Sequence, residues 1–241
     1  MIEFRSGVLT PNINRVKNVP QIKTVNKYLG ELVTVSERNK DKYYEVTTEL
    51  RNRLGKVLGR EVFSLEDNCP NSVGFSISVE PEYRRKSFHF GEILRLSSII
   101  MILENKIKEF EIYSKNTAIF FHSKYKFEPA IKQFSERDLA LESMISNCQN
   151  NGAEYSEMQR EAEEILNAAK VDDNAEKQRE LCVKANQLLK RYFAKVEETK
   201  GGYKLHPFNT GISMRLTDDA IIKSKNFFNE LFKKHNIDYK I

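Results

Sequence analysis

Between residues 42 and 80 the sequence repeats one local pattern three times, and this repetition limits the fold more than any other feature. Runs rich in β-branched and aromatic residues, which are typical of strands, alternate with turn signals. The runs are KYYEVTTEL (42–50), VLGREVFSLE (57–66) and SVGFSISVE (72–80). Because the connections are short, consecutive strands are expected to pair antiparallel. The chain is therefore predicted to contain an antiparallel meander, with Gly59 at a bulge or a close backbone approach.

The third predicted strand ends in a strongly basic turn. The stretch SVEPEYRRKSFHFGEILRL (78–96) leaves the strand at a Glu-Pro pair and reaches three consecutive cations, Arg84, Arg85 and Lys86. Apolar residues of 91–110 then recur at helical spacing around much of the circumference, which predicts a largely buried helix. A turn that enters a helix N-terminus presents unpaired N–H groups at the positive end of the helix dipole, and cations beside it add charge-assisted contacts. The turn is therefore a candidate anion site.

Two other interpretations of the basic turn stay open. It is only a solvated loop if the cations serve no ligand, since lysines near helix starts are common. It is a nucleic-acid patch if Phe88 and Phe90 stack on bases beside the cations. No known nucleic-acid motif accompanies these residues, so nucleic acid is the least favoured partner.

Hydrophobic periodicity predicts further elements on both sides of this region. A helix is expected at 22–38, although Gly30 and several β-branched residues weaken its pattern. The later predicted elements are a strand at 109–114, a helix at 116–127, a strand at 212–217 and a helix at 218–236.

A helical segment separates the last two of these elements from the rest. Residues 131–200 are rich in Glu and Gln and show no strand signal, and the SERD run at 135–138 resembles a helix N-cap followed by an acid. Turn signals at 150–152 and 171–174 divide the segment into about three helices. The segment carries 11 Lys and Arg against 14 Asp and Glu, so the net charge of +5 arises elsewhere. We therefore predict one domain formed by residues 1–130 plus 201–241, with a helical insertion at 131–200.

Two motifs within this order of elements resemble a known family. The order is strand, strand, strand, basic turn, helix, strand, helix and, after the helical segment, another strand. VEPEYRRK (79–86) resembles the V-x-P-x-[YF]-R-G-K run that ends the central strand in the GNAT superfamily of acetyl-CoA-dependent N-acetyltransferases. NTAIFFHSKYKF (116–127) is similar to the family's N-x-x-A-x-x-F-Y-x-K-x-G-F pattern. The matching residues are Ala118, Phe121, Lys124 and Phe127, and the resemblance covers about residues 42–129 and 212–217.

The resemblance implies an α/β fold in which helices flank a mixed, mostly antiparallel sheet that carries the helical segment as an insertion. The co-substrate would be acetyl-CoA, and the acceptor would be an amine that the sequence does not identify. Backbone amides of the third strand would hold the pantetheine arm and polarise the thioester carbonyl, while the basic turn would bind the pyrophosphate. The residues implied in cofactor binding are Ile77, Ser78, Val79, Arg84, Arg85, Lys86, Ser87, Phe88, His89, Phe90, Gly91 and Asn116. The insertion would cover the acceptor side or bind a partner, or it would pack only against itself.

Acyl transfer of this kind needs a base for the amine and an acid for the leaving thiolate. A lysine-type amine has a pKa of about 10.4, so it must lose a proton before it attacks. Glu80, at the strand end, is the candidate base, and the alternative is an ordinary exposed turn carboxylate. His122 falls where many family members carry a tyrosine that protonates the thiolate, and histidine donates protons near neutral pH. The alternative is that His122 packs against Tyr125 or caps a neighbour.

The chain departs from the family pattern at its glycines. The family turn continues R-G-K-G-[IV]-G/A, where small residues let backbone amides approach the pyrophosphate. Here the run is Ser87-Phe88-His89-Phe90, and Lys126 replaces the glycine of the second motif. A catalytically inactive CoA-binding or protein-interaction module of the same descent is therefore the alternative to an enzyme.

Composition excludes several other classes. The three cysteines are far apart, which predicts reduced thiols and no disulfide framework. The four histidines lack the spacing of a zinc motif, so no metal site is predicted. No apolar run reaches the length of about 18 residues that a membrane span needs, and the N-terminal stretch lacks the pattern of a signal peptide. A cytoplasmic protein is expected, and nothing in the sequence indicates an oligomeric state.

Overall fold

A computed structural model describes residues 3–6, 31–39, 43–52, 54–66, 69–84, 89–115, 118–199, 206–235 and 237–241. The chain forms two compact units: a first unit of Met1–Glu111 with Leu216–Ile241, and a second unit of Ile112–Arg215. The strands are β1 Glu3–Ser6, β2 Glu31–Asn39, β3 Tyr43–Arg51, β4 Val57–Glu66, β5 Asn71–Val79, β6 Glu109–Lys115, β7 Glu128–Pro129 and β8 Gly211–Thr217. The α-helices are α1 Phe90–Glu104, α2 Ala118–Lys124, α3 Phe134–Asn151, α4 Ser156–Val171, α5 Ala175–Glu198, α6 Asp218–Lys223 and α7 Lys225–Lys234.

The strands form a mixed, mostly antiparallel sheet, as predicted. Their order is β1-β2-β3-β4-β5-β6-β8-β7. β1 pairs parallel with β2, whereas the pairs β2–β3, β3–β4, β4–β5 and β7–β8 are antiparallel. The predicted meander is thus confirmed as β3, β4 and β5, and the predicted strands at 109–114 and 212–217 are confirmed as β6 and β8.

The helix predicted at 22–38 is wrong over the part that the structure describes. Residues 31–39 form β2, which pairs with the whole of β3 from Glu31 opposite Arg51 to Asn39 opposite Tyr43. This segment contains Val-Thr-Val, whose β-branched side chains suit a strand better than a helix, and β3 supplies the pairing that helical spacing could not reveal. The remainder of that prediction, residues 22–30, lies outside the described residues.

Gly59 lies at a close backbone approach, as predicted. A Cβ atom at this position would stand 3.0 Å from the carbonyl oxygen of Ser78 and 3.1 Å from Cδ1 of Leu94. The register between β3 and β4 also shifts between Leu50 and Arg51, directly opposite this glycine. The irregularity in the β3–β4 pairing therefore lies beside the point where β5 and α1 approach the backbone of Gly59.

Helix α1 supplies much of the core of the first unit. It packs against β3, β4 and β5, and most of its residues from Phe90 to Ile102 are buried on both faces. It carries a buried ion pair, in which Nη1 of Arg95 donates to Oε1 of Glu61 at 2.9 Å. Burial raises the pKa of Glu61 to about 7, although the Arg95 guanidinium acts in the opposite direction.

Two predicted helices differ in their details. The helix predicted at 218–236 is divided into α6 and α7, because Ser224, with φ of −101° and ψ of 19°, leaves the helical conformation and is both the C-cap of α6 and the N-cap of α7. The predicted N-cap at Ser135 is also wrong: α3 begins at Phe134 with Gln133 as its N-cap. The carboxylate of Glu136 instead accepts from the N–H and the hydroxyl of Ser213.

The second unit is built on the three long helices α3, α4 and α5, which confirms the predicted division at 150–152 and 171–174. The buried Arg137 of α3 donates to Oε1 of Gln178 on α5 at 2.7 Å, and Gln178 donates to the carbonyl of Ala169 at the end of α4. Ring contacts of Phe120 on α2 with Phe193 on α5 continue this core. The helical segment therefore shares one core with α2.

Candidate functional site

The end of β5 lies where the family resemblance places the cofactor. Val79 pairs with Gly59, Ser78 with Arg60, and Ile77 with the buried Glu61. Ile77 and Val79 are half-buried, and Ser78 is exposed. The three residues implied in pantetheine binding thus share one accessible strand end.

A short 3-10 turn follows the strand and carries the first cation of the predicted anion site. Residues Pro81–Tyr83 form the turn, and the N–H of Arg84 donates to the carbonyl of Pro81 at 3.3 Å. The Arg84 side chain is exposed, and its Nε donates to the carbonyl of Val79 at 2.8 Å. This bond holds the guanidinium at the end of β5. The other predicted turn residues, Arg85, Lys86, Ser87 and Phe88, lie outside the described residues.

The turn leads into the N-terminus of α1. His89 is the N-cap residue, has a left-handed backbone conformation with φ of 54°, and makes no side-chain cap. The N–H groups of a first helical turn have no partner within the helix, so they are available to an anion. Phe90 is buried and its ring lies 5.8 Å from that of Tyr83, which joins the turn to α1. Gly91, the next residue of the helix, is half-buried.

Glu80 has an exposed position at the end of β5. Its N–H donates to the carbonyl of Leu58 at 2.9 Å, and its carbonyl accepts from the N–H of Tyr83 at 2.8 Å. The backbone of Glu80 therefore closes the turn, while its carboxylate remains in water. The role of Glu80 as a base stays a prediction, as does the alternative of an ordinary turn residue.

His122 lies on α2 in the second unit and is only 3% exposed. Its ring lies 5.1 Å from that of Phe121 and 5.5 Å from that of Phe127. These ring contacts are compatible with both interpretations, a packing residue and a positioned acid. Asn116, implied in cofactor binding, lies outside the described residues.

Helix α2 ends at the position where the family carries a glycine. The N–H of Phe127 donates to the carbonyl of His122, and the N–H of Lys126 donates to that of Ser123. These are the two bonds of a Schellman motif, whose C′ residue is left-handed and usually glycine. Lys126 occupies that position with φ of 68°. Lys126 therefore adopts the left-handed backbone conformation that glycine usually adopts at this position.

The predicted site residues therefore divide between the units. The first unit brings together Ile77, Ser78, Val79, Glu80, Arg84, His89, Phe90 and Gly91. The second unit contains His122.

One cluster of titratable groups at the start of α1 was not predicted from the sequence. Oε1 of Glu92 lies 2.5 Å from Nε2 of His235 and 2.6 Å from Nζ of Lys234. The signal that could have found part of it is the spacing of His89 and Glu92, which places both on one face of a helical turn. His235 is distant in sequence, and no local pattern predicts its approach.

Comparison with known proteins gives matches only among solved structures. No protein-family profile and no curated protein matches the chain. A tandem GNAT protein from the clavulanic acid biosynthesis pathway is 14% identical over 38% of this chain and 30% of its own length, with a TM-score of 0.34. GCN5 of Tetrahymena is 16% identical over 37% of this chain and 54% of its own length, with a TM-score of 0.34. The PaiA N-acetyltransferase of Thermoplasma acidophilum, solved with coenzyme A, is 17% identical over 36% of this chain and 53% of its own length, with a TM-score of 0.30.

The predicted GNAT-like fold is confirmed by the order of elements in this chain. Strands β3, β4 and β5 are followed by a turn, helix α1, strand β6, helix α2 and, after the helical segment, strand β8. The chain spans between 30% and 54% of the three proteins named above. A shared fold does not imply a shared activity, so their reactions are not established for this chain.

Other expectations concern membranes and thiols. Within the described residues, no helix is both long enough and apolar enough to cross a lipid bilayer. The cysteines are free thiols, as predicted, and two of them, Cys148 and Cys182, are buried. Burial raises the pKa of the Cys148 thiol to about 11, which suits a packing residue and not a nucleophile.

Proposed function

We propose that the protein transfers the acetyl group of acetyl-CoA to a primary amine. The observation that carries the proposal is the connection from β5 through the basic turn to α1. The end of β5 offers Ile77, Ser78 and Val79 at an accessible strand end, and the N-cap of α1, His89, makes no side-chain cap. A pantetheine arm fits the first feature, and a pyrophosphate fits the second, with Arg84 beside it.

The proposed reaction is direct attack on the thioester. The neutral amine nitrogen forms a bond to the carbonyl carbon, and N–H groups of the strand stabilise the oxyanion that develops. The carbon–sulfur bond then breaks, the thiolate receives a proton, and the amine nitrogen releases one to a base or to water. His122 is the proposed proton donor, and its close aromatic packing supports a fixed ring orientation. Glu80 is the weaker proposal as base, since its carboxylate is exposed.

Cofactor binding is tested by thermal unfolding with and without acetyl-CoA. A ligand at about 100 times its dissociation constant stabilises the native state by about 2.7 kcal/mol, which raises the unfolding midpoint by several degrees. We expect this rise for the unaltered chain and its loss in the double variant Arg84→Ala/Arg85→Ala. The matched control is Lys223→Ala/Lys225→Ala, which removes the same charge from exposed positions of α6 and α7 and should keep the rise. No rise at millimolar acetyl-CoA overturns the proposal.

A second candidate function is a non-catalytic module that retains the fold. The observation in its favour is the run of large residues where the family has glycines, with His89 in a left-handed conformation at φ of 54°. The two candidates differ in the release of CoA thiol when acetyl-CoA is mixed with a panel of polyamines, amino sugars and lysine peptides. Binding of acetyl-CoA with no thiol release above the rate without protein would favour the module.

The role of His122 is tested by a variant that keeps a ring. His122→Phe preserves the aromatic contacts with Phe121 and Phe127 but removes the proton. If His122 is the acid, the turnover number falls by about 100-fold or more while acetyl-CoA binding persists. Unchanged turnover assigns His122 to packing.

A further inference from the structure

Three potential metal ligands converge where α1 begins and α7 ends, all within the first unit. One nitrogen each of His89 and His235 and one carboxylate oxygen of Glu92 lie within 4.8 Å of one another. Oε1 of Glu92 stands 2.5 Å from Nε2 of His235 and 3.8 Å from Nδ1 of His89. The two imidazole rings are 5.5 Å apart.

The ligands stand on elements that hold them in place. His89 is the N-cap of α1, and Glu92 belongs to its first turn. His235 is the C-cap of α7, and the chain beyond it is fastened to the same unit by the bond of Tyr239 Oη to Glu104 and by the contacts of Asn229 with Ile241. The backbone positions of all three metal ligands are therefore set by helix ends of the first unit.

The donor set is one that divalent transition metals take in proteins. Two imidazole nitrogens and one carboxylate oxygen are the protein ligands of many catalytic zinc sites, which leave a fourth position to water. Bonds of about 2.0–2.1 Å in a tetrahedron place donor atoms about 3.3 Å apart. The observed 2.5 Å and 3.8 Å lie on either side of that spacing. A buried carboxylate also requires a cation or hydrogen-bond donors, and the Glu92 side chain is only 5% exposed.

Lys234 is the competitor for this carboxylate. Its Nζ lies 2.6 Å from the same Oε1 of Glu92, but its side chain is 45% exposed. The ammonium group can therefore withdraw into water when another cation takes its place. Removal of the Lys234 ammonium should therefore strengthen metal binding at this cluster. It should not strengthen adventitious metal binding elsewhere on the surface.

We propose that His89, Glu92 and His235 bind a zinc(II) ion or a similar divalent transition metal, with water in the open position. The His89 side chain is 42% exposed, so the metal and the water can enter from solvent. The inference goes beyond the proposed acetyl transfer and does not depend on it.

The experiment is a titration of the full chain with Co²⁺, followed by Zn²⁺. We expect the strong visible absorption of a four- or five-coordinate cobalt ion and its loss when zinc displaces it. His89→Ala should weaken cobalt binding by at least about 10-fold, and His235→Gln should do the same. Lys234→Gln should tighten it, because the competing ammonium is removed. Circular dichroism verifies that each variant is folded, and the exposed His89 is the substitution least able to disturb the fold.

Cys69→Ser is the control for thiol ligands, since Cys69 is the cysteine that is not buried. The proposal is overturned if the unaltered chain shows no cobalt band, if the band depends on Cys69, or if it persists in the double variant His89→Ala/His235→Gln. It is also overturned if Lys234→Gln weakens binding. None of these results involves acetyl-CoA, so they leave the proposed acetyl transfer to its own test.

Discussion

Replacing Lys126 with glycine is expected to stabilise the protein, which is unusual for a glycine substitution next to a helix. Lys126 is the C′ residue of α2, with φ of 68°, in a Schellman motif closed by two backbone bonds. A side chain in the left-handed region costs about 1–2 kcal/mol, and glycine avoids this cost. Glycine also gains about 0.5–1 kcal/mol of freedom in the unfolded chain, which opposes the effect. The expected net gain is therefore about 0.5–1 kcal/mol.

The same geometry recurs at the end of α1 and provides an independent repeat. Lys106 has φ of 54°, its N–H donates to the carbonyl of Leu103, and the N–H of Ile107 donates to that of Ile102. Lys106→Gly should therefore stabilise by a similar amount, although it lies in the first unit and Lys126 in the second.

The assay is urea unfolding followed by far-UV circular dichroism, together with the thermal midpoint. A gain of about 0.5–1 kcal/mol corresponds to a rise of about 1–4 °C for a chain of this size. The matched control is Lys124→Gly, in the last turn of α2, where glycine should cost up to about 1 kcal/mol. If Lys126→Gly destabilises the protein as much as the control does, the left-handed conformation of Lys126 does not strain the native state.

Three further predictions concern packing and titration. Gly59→Ala should destabilise by about 1–3 kcal/mol in urea, because its Cβ would stand 3.0 Å from a β5 carbonyl oxygen, and an unchanged midpoint would contradict the close approach. Burial raises the pKa of Glu61 to about 7, so between pH 4.5 and 7 the native state holds a proton that the unfolded chain has lost. The free energy of unfolding should therefore fall as the pH rises through this range. In the variant Glu61→Gln the urea midpoint should depend less on pH. Asn186→Leu should cost about 2 kcal/mol or more, because its amide pairs with both the N–H and the carbonyl of Ile131, whereas the exposed neighbour Gln187→Leu should be nearly neutral.

Elements that rest on local pattern could be predicted from the sequence. The meander, the buried helix α1 and the close approach at Gly59 follow from alternation, helical spacing and short turns, all of which are visible within about ten residues. The left-handed residues after α1 and α2, Lys106 and Lys126, could not be predicted from the sequence, because neither is the glycine that usually marks such a position.

Features that depend on distant partners could not be predicted. The spacing of apolar residues predicts a helix where strand β2 forms, because the pairing of β2 with β3, and not its own spacing, decides its conformation. The approach of His235 to Glu92 requires the last helix to return to the first, which no spacing of histidines along the chain can indicate.

The core shared by α2 and the helical segment bears on how such a segment can be gained or lost. Phe120 of α2 contacts Phe193 of α5 and Phe208, and Asn186 of α5 pairs with the backbone of Ile131. Excision of residues 132–205 would therefore remove Phe193, one of the ring partners of α2, and Asn186, which pairs with Ile131. A chain that gained or lost the segment would therefore also have to repack α2, because the two share one core.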